Sequence, residues 1–298
     1  GLGGIGGVAA ASLAAADRHD VIACARRPIE RLTLERPEGT VEVPLATLTD
    51  PARARLADWV LLCTKAQATA SAAPWLARLC GPATRVAVFQ NGIDQVRSVA
   101  PLTNGAEVVP AVVYYYGERL ADDRVRTRHV VEYDLAVPDG LAGRALARLF
   151  EGTPLKVLPS GDFAVLAWRK LLINAVANPL TALVLQRQAV LRRADIQALA
   201  RAVLEEAVAA AHADGVPLAP DEAVLTLKTL ETYPAEGGTS MYFDRLAGRP
   251  MEHEALTGAI VAAAERHGVP APLNTALLTL LRAINDAARR QNSSPPHA

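Results

Sequence analysis

Gly1-Leu2-Gly3-Gly4-Ile5-Gly6 opens the chain, and the reading of its first half turns on these six residues. They fit G-x-G-x-x-G, whose glycines permit a tight turn, close approach of a pyrophosphate to the backbone, and close packing of a helix on a strand. Alone, the pattern also fits an unrelated glycine-rich terminus, so its weight depends on the residues after it. Residues 5–16, built mostly from Ala, Gly and Leu, suit a helix that leaves the turn directly. Short apolar runs then come at residues 20–25, 59–64, 85–89, 108–115 and 129–137, separated by polar or Ala-rich stretches. That alternation predicts repeating βα units around a parallel sheet, with antiparallel strands entering toward Val137. A glycine turn of this kind comes after a strand. The expectation is therefore a first, central strand of about five to seven residues including Met ahead of Gly1, and a natural chain of slightly over about 300 residues.

At about 150 residues per domain, 298 residues predict two domains, and the periodicity changes near residue 160. The expected division is 1–160 and 161–298. Hydrophobic residues make up 51% and charged ones 21%, and 31 Lys+Arg balance 31 Asp+Glu. This excludes general disorder and argues against nucleic-acid and membrane partners. Three cysteines, Cys24, Cys63 and Cys80, are too few for a disulfide framework and fit a reducing, cytoplasmic setting. The longest later apolar run, residues 171–185, is interrupted by Asn174, Asn178 and Pro179, which argues against a membrane span.

Beyond Ser160 the pattern is helical. Between Asp195 and His212 apolar residues recur at three and four, and Gly215 offers a stop. Further helices are expected over residues 220–231, 252–267 and 274–290, with Asn274 as a cap and residues 291–298 as a disordered tail. The fold class is α/β: a Rossmann-type N-terminal domain followed by an all-helical C-terminal domain.

Candidate site residues lie at strand ends and on one helical stripe. An acidic residue at the end of the second strand would suit NAD, but residues 20–25 end in Arg26-Arg27. A guanidinium can grip a 2′-phosphate and stack on adenine, so Arg26 points to NADP, with a solvated basic turn as the alternative. Lys65 and Asn91 close two other strands, where ligands of open α/β sheets sit, although Lys exits and Asn-Gly turns are also common there. Lys170, Asn174 and Asn178 are spaced i, i+4, i+8 and stack three polar side chains on one face of an apolar helix. A partly desolvated lysine can protonate a carbonyl oxygen as hydride arrives at carbon, while the asparagines would hold substrate oxygens. An internal hydrogen-bond network or a solvent-facing stripe uses the same spacing. Ser240 and Glu252 add a hydroxyl and a carboxylate, with helix capping and first-turn acidity as their plain readings. No His or Cys spacing suggests a metal.

The segment Trp168-Arg169-Lys170 … Asn174 … Asn178-Pro179-Leu180-Thr181-Ala182, with Ser240-Met241 … Glu252, resembles the ketopantoate reductase family over nearly the whole chain. The resemblance implies NADPH and a small 2-oxo acid in a cleft between a Rossmann-type and a helical domain. It makes Gly1, Gly3, Gly4 and Gly6 the pyrophosphate turn and Arg26 the 2′-phosphate ligand, with Lys65 and Asn91 near nicotinamide and substrate. It makes Lys170 the proton donor, and Asn174, Asn178 and Ser240 substrate ligands. Glu252 becomes a neighbour of cofactor and lysine. Gln188 stands where a further substrate-contacting Asn is usual, and Met251 and Thr257 replace the Thr and Asn usual beside Glu252. The activity implied is NADPH-dependent reduction of a 2-oxo acid to a 2-hydroxy acid, 2-dehydropantoate foremost. Another small oxo acid and a non-catalytic NADP-binding sensor are the alternatives. The helical domain could carry a homodimer face.

Overall fold

Helix α1 (Gly4–Ala15) leaves the glycine turn at once in the computed structural model, which describes residues 1–293. Its Ala-rich sequence favours helix, and Val8, Ala9, Ala11 and Leu13 are buried. No strand precedes it among the described residues. Strand β1 (Ile22–Cys24) is followed by a hairpin of β2 (Arg31–Arg36) and β3 (Gly39–Pro44), and then by β4 (Ala46–Leu48), which pairs parallel with β1. The hairpin was not expected from the apolar runs. Charged outward residues obscure a period-two pattern in which Leu32, Leu34 and Val43 are buried.

A second parallel ladder runs β5 (Trp59–Leu62), β6 (Arg85–Val88) and β7 (Glu107–Pro110), with α2 (Ala73–Leu79) and α3 (Gln95–Val99) as connections. The expected strand 108–115 breaks at Ala111, after which β8 (Val112–Val113) joins a different sheet. The hairpin of β9 (Tyr116–Ala121) and β10 (Arg124–Arg128) extends the first one, in the order β3-β2-β10-β9. Strand β11 (Leu135–Pro138) lies antiparallel to β8 and parallel to β12 (Val157–Ser160), with α4 (Leu141–Leu149) between β11 and β12 in sequence. Only the last part of the expected strand 129–137 is therefore extended. Buried Asp134 breaks it: its carboxylate meets His129 Nδ1 at 2.7 Å and the Lys156 amide at 2.8 Å.

The helical unit holds α5 (Phe163–Val184), α6 (Ala194–Ala213), α7 (Glu222–Glu231), α8 (Ser240–Leu246), α9 (Ala259–His267) and α10 (Pro272–Ser293). Leu171, Leu172 and Val176 of α5 share one core with Val203, Leu204 and Ala207 of α6, Ile260 of α9 and Leu281 of α10. Gly215 (φ +82°) follows α6 and Gly268 (φ +65°) ends α9, both in the left-handed region that glycine tolerates.

Three expectations are corrected here. The helix expected over 252–267 begins instead with a π turn, Glu254–Gly258, and Glu252 precedes it. Asn274 does not cap α10 from outside; it lies inside the first turn, buried, with Nδ2 donating to Glu206 and to Val203 O. The capping acceptor is the Glu206 carboxylate, which takes the amides of Leu273 and Asn274 at 2.9 Å each. α10 continues to Ser293, so 291–293 are helical, and the remainder of the expected tail lies outside the described residues.

By contact density the chain forms two units: Gly1–Gln90 with Asp94–Phe163, and Asn91–Ile93 with the residues from Ala164 onward. The boundary thus falls close to residue 160, but three residues between β6 and α3 belong to the helical unit.

Candidate active site

In the first unit the glycine turn is crowded on one side and open on the other. A Cβ on Gly4 would overlap the Gly117 carbonyl, and one on Gly6 would overlap the Gly1 carbonyl and sit 2.8 Å from Cys63 Cβ. Packing therefore explains Gly4 and Gly6. It does not explain Gly3, whose φ is −78° and whose Cβ would meet nothing within 4 Å. Gly3 is the N-cap of α1 with no side-chain cap, and the first turn carries no acid. Backbone N–H groups and the positive end of the helix dipole are thus left for an anion, in a space that the absent Cβ keeps clear.

Two ionisable groups beside the turn, Cys63 and Tyr115, add no negative charge there. Burial pushes the Cys63 thiol up to about 11, and it raises the Tyr115 phenol well above its ordinary value. Both are neutral at physiological pH, and the Tyr115 hydroxyl donates to Ile5 O at 2.8 Å, pinning the first turn of α1.

Arg26 lies exposed just beyond the carboxyl end of β1. Arg27 is occupied by an ion pair with Asp122 at 2.9 Å, whereas Arg26 makes no ion pair among the described residues. Lys65 follows β5 and is exposed, its carbonyl accepting the Ala68 amide as a short 3₁₀ helix begins. The ends of β5 and β6 are joined by Gln90, a residue the sequence reading gave no role. Its buried side-chain amide donates to Thr64 O (2.9 Å) and Thr69 Oγ1 (2.9 Å), and its backbone carbonyl accepts from Gln95 Nε2. A polar residue closing an apolar strand was the available signal.

In the helical unit, Lys170, Asn174 and Asn178 follow one another along α5, as their spacing predicts. Asn178 is buried and central. Its Nδ2 donates to Asn174 Oδ1 (3.1 Å), while its Oδ1 accepts from the Met241 amide (3.3 Å) and Ser240 Oγ (3.4 Å). The amide of Asn174, with its own Oδ1 engaged, has no protein acceptor among the described residues. Lys170 is half-buried, and desolvation holds its ammonium pKa below the ordinary lysine value. The neighbouring Arg169 grips buried Glu222 bidentately at 2.9 and 3.1 Å, tying this turn of α5 to the start of α7.

Ser240 is exposed and is the first residue of α8. Capping falls to Thr239, whose Oγ1 accepts the Tyr242 amide (3.1 Å) and meets buried Thr181 (2.8 Å). Gln188 sits against the loop that leads to Ser240: its backbone N–H donates to Gly237 O at 2.9 Å, and its buried Oε1 has no partner among the described residues.

Glu252 is buried and accepts from Asn91 Nδ2 at 3.1 Å, so two residues 161 positions apart are joined in this unit. The intervening feature is Gly92. Its φ of +99° and the 2.5 Å that would separate its Cβ from Ala255 O both require glycine. Among the described residues no group of three His, Cys, Asp or Glu side chains is placed to hold a metal ion, and no helix is long and apolar enough to cross a membrane.

Comparison with known proteins matches residues 1–139 to the family described as Ketopantoate reductase PanE/ApbA, and residues 162–285 to Ketopantoate reductase PanE/ApbA C terminal. The chain belongs to the ketopantoate reductase family. A 2-dehydropantoate 2-reductase of Caulobacter vibrioides is 36% identical over 288 residues, covering 95% of this chain and 97% of that one. Among solved structures, a PanE/ApbA family ketopantoate reductase from Ralstonia eutropha JMP134 is 31% identical with a TM-score of 0.86, covering 97% of each chain. A dimeric ketopantoate reductase from Staphylococcus aureus is 25% identical with a TM-score of 0.85, covering 97% of this chain and 98% of that one. The protein is thus an oxidoreductase with a Rossmann-type N-terminal and a helical C-terminal domain. Of the two residues expected to depart from the usual pattern beside Glu252, Met251 is buried in the helical core, and Thr257 is buried with no hydrogen-bond partner for its hydroxyl among the described residues.

Proposed function

We propose that the protein reduces 2-dehydropantoate to pantoate with NADPH. The observation that carries this reading is the α5 stripe: a desolvated lysine followed by two asparagines, the second locked by the start of α8. NADPH, when bound, supplies the hydride. The open Gly3 and the uncapped start of α1 suit its pyrophosphate, with Gly1, Gly4 and Gly6 giving the turn its shape, and exposed Arg26 suits the 2′-phosphate. Lys65 would lie near the nicotinamide.

Reduction of a ketone places negative charge on its oxygen, and Lys170 is the group suited to protonate it. Its ammonium is weakened as a cation by desolvation, so its proton moves more readily to the developing alkoxide. Asn178 cannot itself reach far, because both ends of its amide are engaged; it orients Asn174, whose amide donates to a substrate hydroxyl or carboxylate oxygen. Ser240 and Gln188 would complete the oxygen-binding set, and Glu252, through its bond to Asn91, would hold that side chain toward substrate and help place Lys170.

The test is steady-state NADPH consumption with 2-dehydropantoate against a panel of smaller and larger 2-oxo acids. The highest kcat/KM is expected with 2-dehydropantoate. Preference for another oxo acid would replace the substrate, and tight NADPH binding without turnover of any would replace catalysis by sensing. A cytoplasmic setting and a homodimer are proposed with it, the latter from the dimeric S. aureus relative; a monomer in sedimentation equilibrium would remove the dimer.

A further inference from the structure

We propose that His253 is a positioning residue for Glu252, acting as a doubly protonated imidazolium, so that the placement of Glu252 depends on pH. This rests on the role given to Glu252 above. The His253 ring is buried, with Nδ1 3.1 Å from Met251 O and Nε2 3.3 Å from Glu254 Oε1. Both partners can only accept. A carbonyl has no proton, and the Glu254 carboxylate is gripped from α10 by Arg282 through Nε at 2.6 Å and Nη2 at 2.8 Å. The Arg282 guanidinium keeps that carboxyl below the usual carboxylate range, so it stays ionised.

A neutral imidazole carries one N–H and must turn a lone pair toward one of its two partners. The imidazolium serves both. The anion against the ring, Glu254, favours the same form; Arg282 of α10 is the opposing cation and is held by Glu254, with Glu265 of α9 acting on Arg282, and Glu252 is the neighbouring carboxylate in sequence. α9 and α10 are the elements packed on this turn.

What the imidazolium holds is the backbone that leads into Glu252. The Met251 amide donates to Asn285 Oδ1 of α10 at 3.0 Å, and its carbonyl accepts a hydrogen bond from the His253 Nδ1–H. Beyond Glu252, the Leu256 amide donates to Glu252 O (3.2 Å) and the Gly258 amide to His253 O (2.9 Å), the wide spacing of the π turn. Glu252 is thus pinned on both sides, and its carboxylate meets Asn91 from a fixed backbone. Loss of one ring proton places a lone pair against either the Met251 carbonyl or the Glu254 carboxylate, and the ring must give up one contact.

Long-range proton–nitrogen NMR on the full chain with labelled histidine reads both ring nitrogens of His253 directly. Both are expected to be protonated near neutral pH, one being lost at higher pH together with a fall in kcat/KM. Glu254→Gln removes the anion beside Nε2 from an exposed position, so the imidazolium is less favoured and both transitions move together to lower pH. At a pH above both midpoints kcat/KM of the variant should be about tenfold lower for each pH unit of displacement. A single protonated nitrogen in the wild type throughout the neutral range overturns the proposal. So does a displaced NMR midpoint in Glu254→Gln with an unmoved kcat/KM profile. Failure of the wild type to reduce any oxo acid would instead overturn the catalytic reading, a result the NMR titration identifies separately.

Discussion

Replacing Lys170 by Met keeps an unbranched apolar stem in α5 and removes only the ammonium, so two opposite effects are expected from one change. General acid catalysis is typically worth 10²–10⁴-fold, so kcat should fall by about that factor, equivalent to about 3–5 kcal/mol of lost transition-state stabilisation. Stability should move the other way. Burial lowers the Lys170 pKa from its ordinary 10.5, which means the folded chain binds this proton less tightly than the unfolded chain does. At any pH below the folded value the wild type carries that penalty in full, about 1.4 kcal/mol for each unit of depression. As pH rises through the window between the folded value and 10.5, the unfolded chain retains the proton that the folded chain has released, and wild-type stability climbs. Lys170→Met has no such window. Urea denaturation of both proteins across the neutral-to-alkaline range should therefore give a more stable variant at neutral pH and a gap that closes as pH approaches 10.5. Stopped-flow single turnovers with NADPH report the rate. The same linkage predicts that wild-type kcat declines on the alkaline side at lower pH than an ordinary lysine would dictate, because the protonated form is the active one. Near-normal turnover by the variant, or a stability gap independent of pH, would refute the reasoning.

Arg26→Ala should raise the KM for NADPH by tenfold or more (about 1.5–3 kcal/mol for a charge-assisted contact) with little change for NADH, and equal losses would remove the phosphate assignment. Leu185, just past the end of α5, holds φ at +52° with its side chain well exposed, while the Gln186 amide bonds back to Thr181 O. A left-handed conformation costs a branched residue about 1–2 kcal/mol and glycine almost nothing, so after the entropic cost of glycine Leu185→Gly should stabilise by roughly 0.5–1 kcal/mol. A lower midpoint in thermal or urea denaturation would show that packing of the leucine outweighs its backbone strain.

How far the sequence could be read depended on where each signal was stored. The α5 stripe was legible because a polar residue every four positions in an apolar helix has few readings, and Gly215 announced the stop after α6 because αL backbone favours glycine. The two hairpins were not, since Arg, Glu and Thr outnumber the inward Leu32, Leu34, Val43 and Val125 and no continuous apolar run survives. Among candidate site residues, Asn91 was legible as a strand-end amide, but its bond to Glu252 was not, because the link spans 161 positions and depends on a close approach of Gly92 to Ala255. The π turn after Glu252 leaves no mark in apolar periodicity at all. Likewise, Asn274 looked like a cap because caps are usually supplied by the adjacent residue, whereas here the acceptor comes from Glu206, 67 positions from Leu273.

The assignment of Asn91–Ile93 to the helical unit bears on how relatives of this protein could be recombined. A chimera joined near residue 160 looks like a clean exchange of halves, yet it takes Asn91, Gly92 and Ile93 from one parent and Glu252, Ala255 and the core that Ile93 packs against from the other. Grafts that carry the three-residue segment with the C-terminal half preserve the pairing, so the natural unit of exchange is discontinuous in sequence.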